Sequence, residues 1–250
     1  MNPTTVLVVP AFNEAHRFDD AAFGAFLAAD PSYHLCFVDD GSTDDTLARL
    51  EALRGQTPDR IDVLRHDANR GKGEAVRSGL VHAAATGAAY IGFADADLAA
   101  PLSEVAALRA ELVAYPEAWA AIGSRVKLLG RRIERSEARH YVGRVFATFA
   151  SLALQLPVYD TQCGLKLVRN NAPVSRAIAA PFVSRWIFDV ELIARLADLA
   201  GKGADAAKRI REVPLMTWCD RGDSHLGVAD FLRAPLELWR IHRRTRDRSP

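Results

Sequence analysis

The chain has 250 residues, 49% of them hydrophobic, and a formal net charge of +1. That length suits one large α/β unit or two small ones, and the near-neutral charge excludes a general nucleic-acid binder. Its 3 cysteines, Cys36, Cys163 and Cys219, are far apart and lack CxxC spacing, which points to a reducing cytosol and no structural zinc.

In chain order, Met1 to Arg17 holds a brief apolar run and then charges, so no signal peptide is expected. Val6 to Pro10 reads as a short buried strand, followed by Ala11-Phe-Asn-Glu14 and a helical stretch to about Ala29. Leu35 to Val38 is a second strand, broken by Asp39-Asp-Gly-Ser-Thr-Asp44, and Thr43 or Asp44 can cap a helix from Thr46 to Leu53. Ile61 to Leu64 is a third strand, and Asn69-Arg-Gly-Lys-Gly73 opens a helix to Ala85. Tyr90 to Ala94 is the fourth strand, and Ala120 to Gly123 the fifth, ending in Ser124-Arg125. This alternation predicts right-handed βαβ units: an α/β fold with a mainly parallel sheet flanked by helices.

In such a sheet the carboxyl ends of the strands share one edge, where ligands bind. Glu14, Asp39, Asp40, Asn69, Lys72, Asp95, Asp97 and Arg125 all follow strand ends and are expected to line a single crevice. Any one alone is more often a turn or cap residue; their recurrence at successive strand ends argues for a site. Asp95 and Asp97 follow the fourth strand. Along an extended backbone their side chains share a face, so they are expected to grip a hard cation, Mg²⁺ or Mn²⁺, that also meets substrate phosphates. The plainer alternative is a pair of acids that end a strand and open a turn. GxxxxGK[ST] is absent, as are GxGxxG after the first strand and Gly-x-Ser-x-Gly, and the 7 histidines do not cluster at metal-ligand spacing.

From Arg125 onward the chain turns basic: Arg125, Lys127, Arg131, Arg132, Arg135, Arg139 and Arg144 meet only Glu134 and Glu137. Some of these form a solvated face. Arg125, Arg135 and Arg139 are read as a docking place for a second, anionic substrate, because guanidinium matches phosphate. Val142 to Leu156 is an apolar helix, either core or partly seated on a membrane surface. The longest weakly polar stretch, Val145 to Tyr159, falls short of the ~20 residues that span a bilayer. Tyr159-Asp-Thr-Gln-Cys-Gly-Leu-Lys166 is a polar knot in apolar surroundings, and Ser184 to Leu192 opens a helix with Asp189 in its first turns. Asp189 is either a buried base with a raised pKa or an acid complementing the helix dipole. Glu212 to Trp218 is a late strand. Arg221 to Leu226 forms a loop, and residues 228–248 a basic amphipathic helix suited to anionic lipid or to packing on the domain.

Val9-Pro-Ala-Phe-Asn-Glu14, Val38 to Asp44, Asn69 to Gly73 and Ala94-Asp-Ala-Asp97 resemble the family 2 inverting glycosyltransferases of GT-A fold. Within that family, Ile122-Gly-Ser-Arg125, Asp160-Thr-Gln-Cys-Gly-Leu-Lys166 and Arg185 to Leu192 look most like dolichyl-phosphate β-glucosyltransferases and polyprenyl-phosphate glycosyltransferases. The resemblance implies one GT-A domain over residues 1–250, with a nucleotide-sugar-binding half (about 1–125) and an acceptor-binding half (about 126–220). It also implies that Pro10, Glu14, Asp39 and Asp40 hold the nucleoside, that Lys72 and Asp95 approach the diphosphate sugar, and that Asp95 and Asp97 carry Mg²⁺ or Mn²⁺. Arg125, Arg135 and Arg139 would take the acceptor phosphate. Asp189, or Asp160, would orient or deprotonate the acceptor. The implied donor is UDP-glucose, with GDP-mannose as the alternative, and the implied acceptor a polyprenyl phosphate at the cytoplasmic membrane face. A soluble phosphorylated acceptor such as a glycerate phosphate, and a nucleotide-sugar-binding protein without turnover, are the competing readings. The chain departs from the resemblance in three ways: no N-terminal membrane helix is evident, Leu165 stands where Phe is common, and Asp223 to Leu226 differ from the usual Gly-Ser-Lys pattern. His225 is a further candidate metal ligand, and the Ala- and Arg-rich composition suggests a bacterial source.

Overall fold

The computed structural model of the chain describes residues 4–135, 137–201 and 203–221, together with Glu237, Arg240, Ile241 and Arg243; of residues 137–142 it describes the backbone only. The elements run β1 (Thr5–Ala11), α1 (Asp20–Ala29), β2 (Tyr33–Asp39), α2 (Thr46–Gln56), β3 (Ile61–Arg65), α3 (Lys72–Ala85) and β4 (Tyr90–Ala94). A single 3-10 turn (Leu102–Glu104) leads into α4 (Val105–Ala114), β5 (Ala120–Ser124), β6 (Arg132–Glu134) and α5 (Glu137–Leu154). The chain closes with β7 (Leu165–Arg169), α6 (Ala172–Ala179), α7 (Phe188–Ala200), α8 (Gly203–Arg209), β8 (Ile210–Pro214) and β9 (Thr217–Cys219).

A 7-stranded sheet in the order β3-β2-β1-β4-β7-β5-β8 forms the middle layer. Side chains alternate across it with the period of two that a strand imposes. Val6, Val8, Cys36 and Val38 face a core built with Val76 and Leu80 of α3, Val174 of α6 and Phe188 of α7. Leu7, Val9, Leu35 and Phe37 face the opposite core, with Phe23 and Phe26 of α1, Leu50 of α2 and Leu108 of α4. Burying both faces is what lets the strands read as continuous apolar runs. Ile241, the buried member of the described C-terminal residues, joins the first of these cores.

The five strands expected from the sequence are present and all parallel to one another where they pair. The sheet is mainly parallel, as expected, and β7, a strand the sequence did not suggest, runs antiparallel between β4 and β5. The last two residues of the expected polar knot, Leu165 and Lys166, open this strand, and the lysine is 1% exposed. The late strand divides at Leu215: β8 joins the large sheet beside β5, and β9 pairs with β6 in a 2-stranded sheet.

β7 sits close against β4. A Cβ added to Gly92 would lie 2.3 Å from the backbone oxygen of Lys166. A backbone atom cannot rotate away, so glycine at this position is a condition of the β4–β7 pairing. Gly92→Ala is expected to cost about 2 kcal/mol or more of stability. A urea titration followed by circular dichroism checks this, the midpoint falling below that of the wild type.

Candidate active site

The carboxyl edge of the sheet is organised by loops that hold one another. Asn13, at φ +54° just after β1, accepts the Thr43 backbone N–H at 2.9 Å and donates its own N–H to Ser42 Oγ at 3.0 Å. Glu14 N–H reaches Thr46 Oγ1 at 2.8 Å. The two motifs after β1 and β2 are thereby one structural unit. The Glu14 carboxylate is engaged by Arg17, whose Nη2 donates at 2.6 Å. Pro10 is buried within β1 opposite Val38.

The neighbouring aspartates Asp39 and Asp40 have different partners. Asp40 Oδ1 accepts from Arg70 N (2.9 Å) and His66 Nδ1 (2.7 Å), and its Oδ2 from Gly71 N (2.7 Å). His66 in turn meets Ser78 Oγ at 3.0 Å. Asp40, expected to hold the nucleoside, is thus bonded to the loop that starts α3. Asp39 Oδ1 accepts Ser42 N–H at 3.1 Å, whereas its fully buried Oδ2 has no hydrogen-bond donor and lies 3.9 Å from Arg65 Nε. A buried carboxylate oxygen without a donor is costly unless a ligand supplies one. Asp39 Oδ2 is thus a buried acceptor with unused capacity after β2.

Asp95 and Asp97 follow β4, but the backbone leaves the strand at Asp95 and turns through Ala96 and Asp97, with Leu98 at φ +52°. The extended pairing expected from the sequence is replaced by a turn, in which Asp97 Oδ1 accepts the Ala99 N–H at 3.0 Å. The two carboxylates still sense each other. Burial raises the Asp97 pKa above the usual carboxylate range, and the negative charge of Asp95 raises it further. On its other side Asp95 Oδ1 is 2.6 Å from Lys72 Nζ. Burial pulls the Lys72 ammonium down, yet Asp95, Asp189 and Asp97 together hold it above its ordinary value. Gly164 gives Asp95 its room, since a Cβ there would stand 2.1 Å from Asp95 Oδ2, and its carbonyl accepts the Asp95 N–H at 3.0 Å.

This donor set fits a hard divalent ion. Two close carboxylates, one destabilised as an anion by the other, gain from a cation between them, and Mg²⁺ or Mn²⁺ completes its shell with water and phosphate oxygens. Among the described residues no third ligating side chain joins them. His225 lies outside the described residues.

Behind the acidic pair, Lys166 Nζ donates to Asp189 and, at 2.7 Å, to the Cys163 carbonyl, and stands 5.2 Å from the Phe93 ring centroid. Burial raises the Asp189 pKa against the opposing pull of Lys166 and Lys72. Asp189 lies in the first turn of α7, the helix-end position expected of it. In the same helix Glu191 receives Arg195 at 2.7 Å and the Val183 N–H at 2.7 Å, and Arg185 reaches across to Asn69, bracing the loop before α3. Lys166, Gly164, His66 and Arg185 were not singled out from the sequence. The signal available for Lys166 was a lysine inside an otherwise apolar Leu-x-Leu-Val run.

Arg125 and Asp160 form a forked pair: Nε to Oδ2 at 2.6 Å, Nη2 to Oδ1 at 2.8 Å, and the Arg125 N–H to Oδ2 at 3.1 Å. Burial pushes the Asp160 carboxyl up, but the guanidinium overrides it and holds the group at about 2. Asp160, expected to orient or deprotonate the acceptor, is thus bound to Arg125, the residue expected to take the acceptor phosphate. Arg125 also stands over Trp218, 5.3 Å from its ring centroid. The Arg135 pKa is lowered, first by burial and then by the cation of Arg125. Guanidiniums that repel each other in a partly buried place are ready for an anion. The Arg139 side chain lies outside the described residues.

A mainly parallel α/β sheet thus carries at its carboxyl edge an acidic pair, a lysine and the Arg125 guanidinium, with Arg135 close enough to feel the charge of Arg125. The Glycosyl transferase family 2 profile matches residues 6–172, and the chain belongs to that family. It is 32% identical over 262 residues to the dolichyl-phosphate beta-glucosyltransferase of Mus musculus, covering 96% of this chain and 79% of that one. It is 25% identical over 188 residues to the polyprenol monophosphomannose synthase of Mycolicibacterium smegmatis, covering 75% of this chain and 70% of that one. Its fold is shared with the glucosyl-3-phosphoglycerate synthase of Mycobacterium tuberculosis, solved with Mn²⁺, UDP and phosphoglyceric acid, at a TM-score of 0.70 and 21% identity, over 96% of this chain and 78% of that one.

The Arg125–Asp160 pair carries a pH signature. The Asp160 pKa is lower in the folded chain, about 2 against 3.8, so its contribution is present above pH 4 and lost as pH falls from about 4 to 2. That contribution is about 2 kcal/mol. Asp160→Asn is expected to be less stable at pH 7, with the gap to wild type narrowing across that window; equilibrium unfolding at pH 7, 4 and 2.5 measures it.

Proposed function

We propose that the chain moves glucose from UDP-glucose to a polyprenyl phosphate with inversion at the anomeric carbon. The observation that carries this reading is the acidic pair Asp95–Asp97 after β4 within range of the charge of Arg125 after β5, itself near Arg135, which offers one place for a metal diphosphate and one for a second anion. The N-terminal half, about residues 1–125, takes the nucleotide sugar and residues 126–220 the acceptor.

In this reading Asp39 Oδ2 accepts an N–H or O–H of the nucleoside, and Asp40 and Glu14 shape the pocket around it through the loops they hold. Lys72 faces the diphosphate. Asp95 and Asp97 would hold Mg²⁺ or Mn²⁺, which when bound offsets the charge gathering on the departing nucleotide. Arg125, fixed by Asp160, and Arg135 orient the acceptor phosphate, with Arg139 beside them in the sequence. One acceptor phosphate oxygen attacks the anomeric carbon from the face opposite the nucleotide. The new carbon–oxygen bond forms as the sugar–diphosphate bond breaks, and the nucleoside diphosphate leaves with the electron pair. A phosphate monoester is already anionic, so Asp189 is asked only to orient it or to take its residual proton. Its raised pKa suits that role. The dolichyl-phosphate and polyprenol names of the relatives support the lipid acceptor. No described helix is long and apolar enough to cross a membrane, and the proposal places the protein peripherally on the cytoplasmic face. GDP-mannose is the alternative donor.

Incubation with labelled UDP-glucose, Mn²⁺ and polyprenyl phosphate, followed by organic extraction, tests the reading. Label is expected in the organic phase, and Asp97→Asn is expected to lower the rate roughly a hundredfold or more. Label that stays wholly aqueous, with a soluble phosphorylated acceptor glucosylated instead, would contradict the lipid acceptor.

A further inference from the structure

We propose that the loop after β5, Arg125-Val-Lys-Leu-Leu-Gly-Arg131, is a rigid finger that inserts its leucines into an anionic lipid bilayer. The inference deepens the lipid-phosphate reading by naming the surface that meets the membrane. Leu129 is fully exposed, Leu128 is about half exposed at 48%, and Met216 at 54% stands on the adjoining β8–β9 connection. Leucine pairs so exposed on a structured turn lose favourable burial unless something apolar covers them.

The finger has a defined base. Arg131 N–H closes the turn on the Leu128 carbonyl at 3.1 Å, and the Arg131 guanidinium donates to the Pro214 carbonyl. Arg132 N–H meets the Met216 carbonyl at 2.8 Å. Met216 and Thr217 donate their N–H groups to the buried Glu104 carboxylate at 3.1 and 2.8 Å. The apolar tip is therefore carried on a braced connection.

Its charge and its position select the partner. Lys127, Arg131 and Arg132 flank the leucines; Glu134 pairs with Arg132. In the parallel β6–β9 ladder, Arg132 and Thr217 stand at the finger end and Glu134 and Cys219 at the other. Cations around an apolar tip match a surface with anionic headgroups above acyl chains. The finger also leaves the sheet at Ser124, so its first residue is Arg125, the guanidinium placed for the acceptor phosphate. A bilayer touching Leu128 and Leu129 would present lipid phosphates next to that group.

The test is co-sedimentation of the full chain with vesicles of equal parts phosphatidylglycerol and phosphatidylcholine, without acceptor lipid. Wild-type protein is expected to partition onto them. Leu128→Ser/Leu129→Ser is expected to partition roughly fivefold less or weaker still, with an unchanged thermal midpoint and unchanged transfer to a short-chain, water-soluble polyprenyl phosphate. Leu128→Phe/Leu129→Phe is expected to retain binding. Wild-type protein that stays in the supernatant, a serine variant that binds as wild type does, or equal binding to phosphatidylcholine alone would overturn the proposal. Absence of transfer to the short-chain acceptor would instead overturn the acceptor reading, so the two failures are distinguishable.

Discussion

The placement of one carboxylate, Asp95, sets the conditions for the rest of the site. It leaves β4 between the Lys72 ammonium, 2.6 Å away, and a glycine that no larger residue could replace without a clash. Beyond Lys72 lies Asp189, and beyond Asp189 lies Lys166; beside Asp95 lies Asp97. Charges alternate along this row until its open end, where two carboxylates adjoin. Low local dielectric makes each neighbouring interaction strong and makes an unpaired member expensive. The surplus negative charge at that end is the physical reason to assign a cation there.

The antiparallel β7 makes the arrangement reachable. By entering between β4 and β5 it brings Gly164 against Asp95, Lys166 under Asp189, and the Asp160 segment beside Arg125. The Asp95, Asp189 and Arg125 contacts are thus fastened to one strand and the segment before it. A parallel strand in that place would have its carboxyl end, rather than its amino end, at this edge. Within the polar knot Tyr159 to Lys166, Asp160 is bonded to Arg125 and Glu212 and Lys166 to Asp189, while the buried Thr161 Oγ1 and Gln162 Nε2 have no hydrogen-bond partner.

Much of this was legible in the residues. The strands over Val6, Leu35, Ile61, Tyr90 and Ala120 follow from short apolar runs that give way to polar residues, and their expected parallel pairing made a shared edge the place for Asp39, Asp95 and Arg125. What was not legible depends on pairing across long sequence separation. Asp40 looks like a ligand contact, yet its oxygens face backbone N–H groups 30 and 31 residues away. The forked contact of Asp160 with Arg125, 35 residues away, is likewise invisible in the sequence. Lys166 hides a strand, because a lysine that is buried by an ion pair reads as a solvated one. The turn at Asp97 likewise depends on Leu98 taking a positive φ, which its side chain gives no hint of. Periodicity reports which faces are buried; it does not report which polar groups find each other there.

The central claim is that the Asp95–Asp97 pair holds a divalent ion together with a nucleoside diphosphate. Calorimetric titration of Mn²⁺ in the presence of saturating UDP tests it most directly. One ion per chain is expected for the wild type, with affinity at least roughly tenfold weaker in Asp97→Asn while the thermal midpoint stays close to that of the wild type. Mn²⁺ binding of the same strength and stoichiometry in the variant would contradict the account.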